Sequence, residues 1–139
     1  MKIEVIYATK TGHSKKIATA IAQELKVKAT DIKMKPKIEN VDLLYIVSGV
    51  YGGKSAPVLI EFVKEIDSTQ VKQVSLLTSS AGKTTPQKEV REVLISNGVQ
   101  VAENEFLCQG GFLFVGMGHP NAEDIKNAVD FVKQTSKLN

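Results

Sequence analysis

Residues 9–14 combine three hydroxyl side chains with one glycine, between an apolar run that predicts a strand and a segment that predicts a helix. The hydroxyls belong to Thr9, Thr11 and Ser14, and Gly12 lets the backbone turn so that successive N–H groups point inward. The N-terminus of a helix adds partial positive charge there. Such a loop can bind a phosphate monoester without a lysine, although a capped strand-to-helix turn uses the same residue types.

Two further loops share this composition. Residues 49–55 and 79–85 each follow an apolar run, and both are rich in Gly, Ser and Thr. In an open parallel sheet, ligands bind at the carboxyl ends of the strands, where the strand order reverses. The three loops therefore predict one binding crevice at a single edge of a sheet.

Strand and helix patterns alternate along the whole chain, which favours a parallel sheet covered by helices, an α/β fold. The inner face of the second helix is expected to contain Val58, Leu59, Phe62, Val63 and Ile66. Only residues 34–41 separate the second and third strands, so we expect a single turn or a loop there and no crossover helix. The strands are predicted at 2–8, 27–33, 42–48, 71–78 and 99–115 (broken near Gly110-Gly111), and the helices at 14–25, 55–66, from a Thr85 cap to Asn97-Gly98, and from an Asn121 cap onward.

Composition excludes several classes of protein. The chain has 139 residues, 42% of them apolar and 24% charged, which suits one domain over residues 1–139. One cysteine excludes an intrachain disulfide, and His13 and His119 lie too far apart in sequence to suggest a metal site. A net charge of +3 does not favour nucleic-acid binding. No apolar run reaches the roughly 18 residues of a membrane span, and no signal peptide is recognisable, so we expect a cytoplasmic protein with no membrane contact.

The chain resembles the flavodoxin family over nearly its whole length. The first loop, TKTGHS, is similar to the phosphate loop T-x-T-G-x-T/S of that family in composition and position. Three other segments resemble the family's second loop with its helix, the start of its third loop and its closing segment: VSGVYGGKSAPVLIEFV, TSSAG and FLCQGGFLFVGMGHPNAEDIKNAVDFV. The resemblance implies a three-layer sandwich with a five-stranded parallel sheet in the order 2-1-3-4-5.

The resemblance also implies FMN as the cofactor, with its phosphate in the first loop. It implies that Tyr51 packs on the flavin ring and that the Gly52-Gly53 peptide lies near the flavin N5. No catalytic residue and no metal are expected. The implied cofactor contacts are Thr9, Lys10, Thr11, Gly12, His13, Ser14, Val50, Tyr51, Gly52, Gly53, Lys54, Ser79, Ser80, Ala81 and Gly82.

Two features depart from the family pattern. The third loop offers no aromatic side chain to cover the second face of the ring, so that face is either open or covered by Phe112 or Phe114. Flavodoxins are typically acidic around the flavin, whereas this second loop carries Lys54 and the sequence pI is about 8.9.

Three functions are compatible with such a fold. The first is a monomeric carrier of electrons between a reductase and an acceptor protein, each bound transiently. The second is a small FMN-dependent reductase or oxidase acting on a quinone-like or other planar substrate, in loose similarity to menaquinone-dependent protoporphyrinogen oxidases, with His119 either a proton donor or a loop residue. The third, a phospho-receiver, is disfavoured because Ala8 and Gly49 stand near the strand ends that need aspartates.

Overall fold

The sheet lies between two layers of helices, and the apolar side chains of its central strands point alternately toward one layer and the other. The computed structural model describes residues 1–9, 12–51, 54–81, 87–110 and 121–136. The strands are β1 (Ile3–Ala8), β2 (Ala29–Asp31), β3 (Val41–Tyr51), β4 (Lys54–Ser55), β5 (Val71–Ala81), β6 (Gln100–Val101) and β7 (Phe106–Gly110). The α-helices are α1 (His13–Leu25), α2 (Pro57–Lys64), α3 (Lys88–Ser96) and α4 (Ala122–Thr135).

The strand order confirms the predicted topology. β1 pairs in parallel with β2 on one side and with β3 on the other, and β3 pairs in parallel with β5. The fifth predicted strand is present as two pieces, β6 and β7, which both pair in parallel with β5. The order is therefore 2-1-3-4-5 in terms of the predicted strands, with β4 as an added antiparallel strand on β3.

The fifth strand breaks earlier than predicted. Val101 pairs with Val74, and Phe106 pairs with Leu77, so five steps along this strand match three along β5. The two extra residues leave the ladder between β6 and β7. β7 pairs with β5 as far as Gly110, and the predicted break at Gly110-Gly111 stays a prediction because Gly111 lies outside the described residues.

Each face of the sheet buries its own apolar cluster. Leu43, Tyr45 and Val47 of β3 point toward α1 and α4, whereas Leu44 and Ile46 point toward α2 and α3. This alternation is what a strand buried on both faces requires. The predicted inner face of α2 is correct at Leu59 and Val63 but wrong at Val58, which is 47% exposed.

Short-range signals fix the ends of several elements. Asn121 and Asp124 form the predicted capping box at the start of α4, with both hydrogen bonds at 2.9 Å. The short link between β2 and β3 holds a single 3-10 turn, Ile32–Met34, as expected. Helix α3 begins at Lys88, later than the predicted cap; Thr85 and Pro86 lie outside the described residues. No helix in the described parts of the chain is both long and apolar enough to cross a bilayer.

Candidate functional site

The ends of three strands lie side by side at the carboxyl edge of the sheet. Ala8 is opposite Ser48, Ser48 is opposite Thr78, and Gly49 is opposite Ser79. β3 and β5 continue to Tyr51 and Ala81, so the second and third loops begin later than predicted but at the same edge of the sheet as the first. The sheet thus brings together the strand ends that the sequence assigned to one crevice.

Thr9 and Gly12 of the first loop are hydrogen-bonded to each other, and Gly12 directly precedes α1. Gly12 has φ of +89°, in the left-handed region that favours glycine, and its N–H donates to the Thr9 hydroxyl oxygen at 2.8 Å. Among the described residues, no side chain caps the N-terminus of α1. The first N–H groups of this helix therefore retain the partial positive charge that attracts an anion.

Ser14 joins the first loop to the third. It is fully buried in the first turn of α1, and its hydroxyl lies 3.5 Å from that of Ser79, which is also buried. The two predicted contact residues are 65 positions apart in sequence, and their side chains meet in the buried interior near the carboxyl edge of the sheet. Contacts of either hydroxyl with a phosphate stay a prediction.

His13 is the titratable group of the described first loop. Burial, and then the charge of nearby Lys16, lowers the pKa of His13 below its usual value. The imidazole is therefore neutral at pH 7 and adds a hydrogen-bonding side chain to the loop without adding charge.

A cavity of about 420 Å³ opens where the strand order reverses between β1 and β3. Its walls come from the ends of β1, β2 and β3 and from the start of α2. This is the position at which the topology of an open α/β sheet places a ligand, and its volume lies within the usual range for small-molecule sites. The lining residues are Ala8, Thr9, Asp31, Ile32, Lys33, Ser48, Gly49, Ser55, Ala56, Pro57 and Val58.

Comparison with known proteins agrees with this geometry. A family model described as a flavodoxin domain matches residues 4–118. The chain belongs to the flavodoxin family. It is 37% identical to an uncharacterised protein of Methanocaldococcus jannaschii, an alignment that covers 99% of both proteins.

Solved flavodoxins share the fold at low sequence identity. A short-chain flavodoxin associated with a non-canonical PDU bacterial microcompartment is 18% identical, with a TM-score of 0.74 over 99% of this chain and 98% of that one. Oxidised flavodoxin 2 of Bacillus cereus is 16% identical, with a TM-score of 0.73 over 100% of both chains. At these identities the likeness establishes the three-layer fold of this flavodoxin-family protein.

The second loop is partly a β-hairpin. Tyr51 of β3 pairs with Lys54 of β4, and Val50 pairs with Ser55, so only two residues separate the paired ends. The predicted second helix accordingly begins at Pro57, two residues after the expected start. This pairing fixes the backbone on both sides of Gly52-Gly53, which themselves lie outside the described residues.

Among the described residues, no group of three or more His, Cys, Asp or Glu side chains could hold a metal ion.

Several predicted contacts fall on parts of the chain that the structure does not describe. Lys10, Thr11, Gly52, Gly53, Gly82, Phe112, Phe114 and His119 lie outside the described residues, and only the backbone is described at Tyr51, Lys54, Ser80 and Ala81.

The sequence prediction missed one wall of the cavity. Asp31, Ile32 and Lys33 follow β2 and line the cavity beside Thr9. The Asp31 carboxylate caps the 3-10 turn by accepting the Lys33 N–H at 2.9 Å, which holds this wall in place. The signal was present, because the carboxyl end of a strand parallel to β1 must reach the same edge of the sheet.

Proposed function

We propose that this flavodoxin-family protein binds one FMN at the carboxyl edge of its sheet and carries electrons between a reductase and an acceptor protein. The observation that carries the proposal is the first loop. Left-handed Gly12 turns the chain into α1, whose N-terminus no described side chain caps. A helix N-terminus of this kind suits a phosphate monoester.

The neighbouring strand ends suit the rest of the cofactor. The cavity beside Thr9 is lined largely by apolar surface, and Ile32, Ala56, Pro57 and Val58 are among its lining residues. FMN supplies the electron-transfer chemistry, and the protein residues bind its phosphate, orient its ring and set the surrounding charge. We propose the contacts implied by the family resemblance as the binding set, extended by the wall that Asp31–Lys33 form.

The test identifies the cofactor and then asks whether the first loop recognises its phosphate. Flavin released by heat from the purified protein should co-elute with FMN; FAD, or no affinity for any flavin on reconstitution, would overturn the proposal. Thr11→Val should weaken FMN binding about tenfold to a hundredfold by loss of a charge-assisted hydrogen bond, with little effect on riboflavin. Thr19→Val is the matched control, because the Thr19 hydroxyl bonds within α1 to the Lys15 carbonyl at 2.8 Å.

The cavity supports a second candidate, an FMN-dependent reductase or oxidase of a quinone-like or other planar substrate. Its apolar walls at the reversal of strand order could hold such a substrate beside the ring. Steady-state turnover with a soluble quinone separates the two functions. Saturable turnover by the FMN-bound protein favours the enzyme, whereas slow, unsaturated reduction favours the carrier.

A further inference from the structure

Five exposed lysines surround the edge strand β2. We refer to Lys26, Lys28, Lys33, Lys35 and Lys37 as the lysine surface. With Asp31 as the one acidic residue among them, positions 26–37 carry a net charge of +4, against +3 for the whole chain. The remaining 127 residues therefore carry a net charge of −1, and the basic character of the protein is concentrated beside β2.

The charges of the lysine surface are not neutralised by neighbouring acids. Among the described residues, Lys37 alone of the five has a carboxylate within ion-pair distance, Glu39 at 3.2 Å, and both groups are exposed. Lys28 and Lys37 line one groove with Lys2 and Glu4, and Lys35 and Lys37 line a neighbouring groove with Glu65. Three of the five lysines thus border two adjoining grooves in which positive charges outnumber negative ones.

Protection of a sheet edge does not explain this pattern. Lysines within an exposed edge strand prevent its pairing with other chains, but β2 is Ala29-Thr30-Asp31 and contains none. Backbone preference does not explain the lysines either, because Lys26 and Lys35 have φ of 59° and 49°, in the left-handed region that favours glycine. The dipole of α1 favours a cation after its C-terminus, which accounts for Lys26 alone.

The lysine surface adjoins the candidate flavin site. Lys33 lines the cavity together with Thr9 and Gly49. Met34, between Lys33 and Lys35, is 75% exposed, and Val58 on the cavity wall is 47% exposed. Exposed apolar side chains bordered by charges of one sign are typical of an interface that guides and docks a protein of opposite charge.

We propose that the lysine surface, with Met34 at its centre, docks an acidic one-electron redox protein beside the flavin site. In the complex this protein loses one electron and the redox centre of the partner gains it, so no further reactant is needed. The proposal rests on the proposed function for the electron exchange, whereas docking itself depends only on the described lysines. The exposed apolar side chain of Met34 favours a protein as the partner. A nucleic acid is disfavoured because positions 26–37 contain no arginine or aromatic residue to contact bases.

Succinylated cytochrome c is a suitable acidic probe, since it shares its haem with native, basic cytochrome c and differs in charge. Binding is measured by surface plasmon resonance with both proteins oxidised, at low and at high salt. We expect the acidic form to bind more tightly than the basic form, and its affinity to fall as salt rises. Lys33→Glu/Lys35→Glu should weaken this binding at least tenfold, and Met34→Ser several-fold with no change of charge.

The matched control is Lys72→Glu/Lys133→Glu, which has the same change in net charge at two exposed positions outside the lysine surface. It should alter binding less than twofold. Equal weakening by both double variants, tighter binding of native cytochrome c, or tighter binding of a DNA duplex overturns the proposal. Circular dichroism confirms that each variant is folded.

Electron exchange is tested separately by stopped flow. The protein, reduced with its bound flavin, should reduce succinylated cytochrome c more slowly when it carries Lys35→Glu/Lys37→Glu, which leaves the cavity-lining Lys33 in place. If the purified protein binds no flavin but the lysine surface still binds the acidic probe, the proposed function fails and the docking surface stands. If flavin is present but neither binding nor rate depends on these lysines, the docking proposal fails alone.

Discussion

The two edges of the sheet use charged residues in opposite ways. Both are built from short strands, β2 with three residues at one edge and β6 with two at the other. At the β2 edge the lysines are exposed, and among the described residues only Lys37 has an ion-pair partner. At the β6–β7 edge, among the residues that the structure describes, Arg91 and Glu105 form an ion pair that is largely buried. The comparison suggests that charge maintains the fold at one edge and is available to a partner at the other.

One ion pair holds the interruption between β6 and β7. Arg91 donates from Nε and Nη2 to Glu105 Oε2 at 3.0 and 2.8 Å, and from Nη2 to the Ala102 carbonyl at 2.7 Å. The side chains of Arg91 and Glu105 are 23% and 10% exposed. These bonds satisfy backbone and carboxylate groups where two extra residues interrupt the ladder.

The largest effect should follow from breaking this ion pair. Arg91→Met leaves Glu105 Oε2 and the Ala102 carbonyl without the guanidinium donor, although the Gln87 N–H still donates to Glu105 Oε1 at 3.3 Å. We expect the free energy of unfolding to fall by about 2–4 kcal/mol. Urea denaturation measures the change. Lys126→Met, which breaks the exposed Lys126–Asp130 pair, should cost less than about 0.5 kcal/mol. Similar losses in both variants would remove the distinction between buried and exposed charge.

A smaller effect should follow at Gln87, which links the start of α3 to β5. Its side chain is fully buried, and Nε2 donates to the Leu77 carbonyl at 3.0 Å and to the Thr78 hydroxyl at 3.1 Å. Gln87→Leu removes both bonds, and we expect a loss of about 1–3 kcal/mol in unfolding free energy.

The control for Gln87 is Gln23→Leu, the same substitution at an exposed position of α1. It should change the unfolding free energy by less than about 0.5 kcal/mol. If Gln87→Leu is equally mild, the buried amide does not hold the end of β5. The described part of the chain gives the Gln87 Oε1 atom no hydrogen-bond partner, which limits the stability that this side chain provides.

The sequence predicts the features of the fold that depend on residues close together in the chain, but not those that depend on contacts between distant residues. Local patterns sufficed for the alternation of strands and helices and for the Asn121 cap, whereas the strand order came from the resemblance to the flavodoxin family. The break after Val101 depends on Arg91, which lies 14 positions before its partner Glu105, so periodicity within the strand could not place it. Val58 matched the apolar spacing of α2 but lies beside the cavity, where no second layer covers it.

The candidate site was predicted in the same uneven way. Hydroxyl and glycine residues at the carboxyl ends of β1, β3 and β5 predicted one shared edge, and the structure brings these strand ends together because parallel strands end at the same edge. The contact between Ser14 and Ser79 and the wall at Asp31–Lys33 arise from tertiary packing between distant segments, which no local motif encodes.

The smallest effect, and of opposite sign, is expected at Lys26. This residue ends α1 with φ of 59°, and its N–H and that of Val27 bond to the Gln23 and Ala22 carbonyls at 3.2 and 2.9 Å. Glycine adopts this conformation without the strain that a Cβ brings, so Lys26→Gly should raise the unfolding free energy by about 0.5–1 kcal/mol, less a few tenths for the lost cation near the helix dipole. Lys28→Gly, at an exposed position without positive φ, should instead lower it by a similar amount. Urea denaturation of both variants decides the matter.

A gain at Lys26 means that this lysine is not optimal for the stability of its helix end, as expected of a charge used for docking. A loss would mean that the lysine stabilises the end of α1, and the two edges of the sheet would then differ in exposure but not in the use of charge.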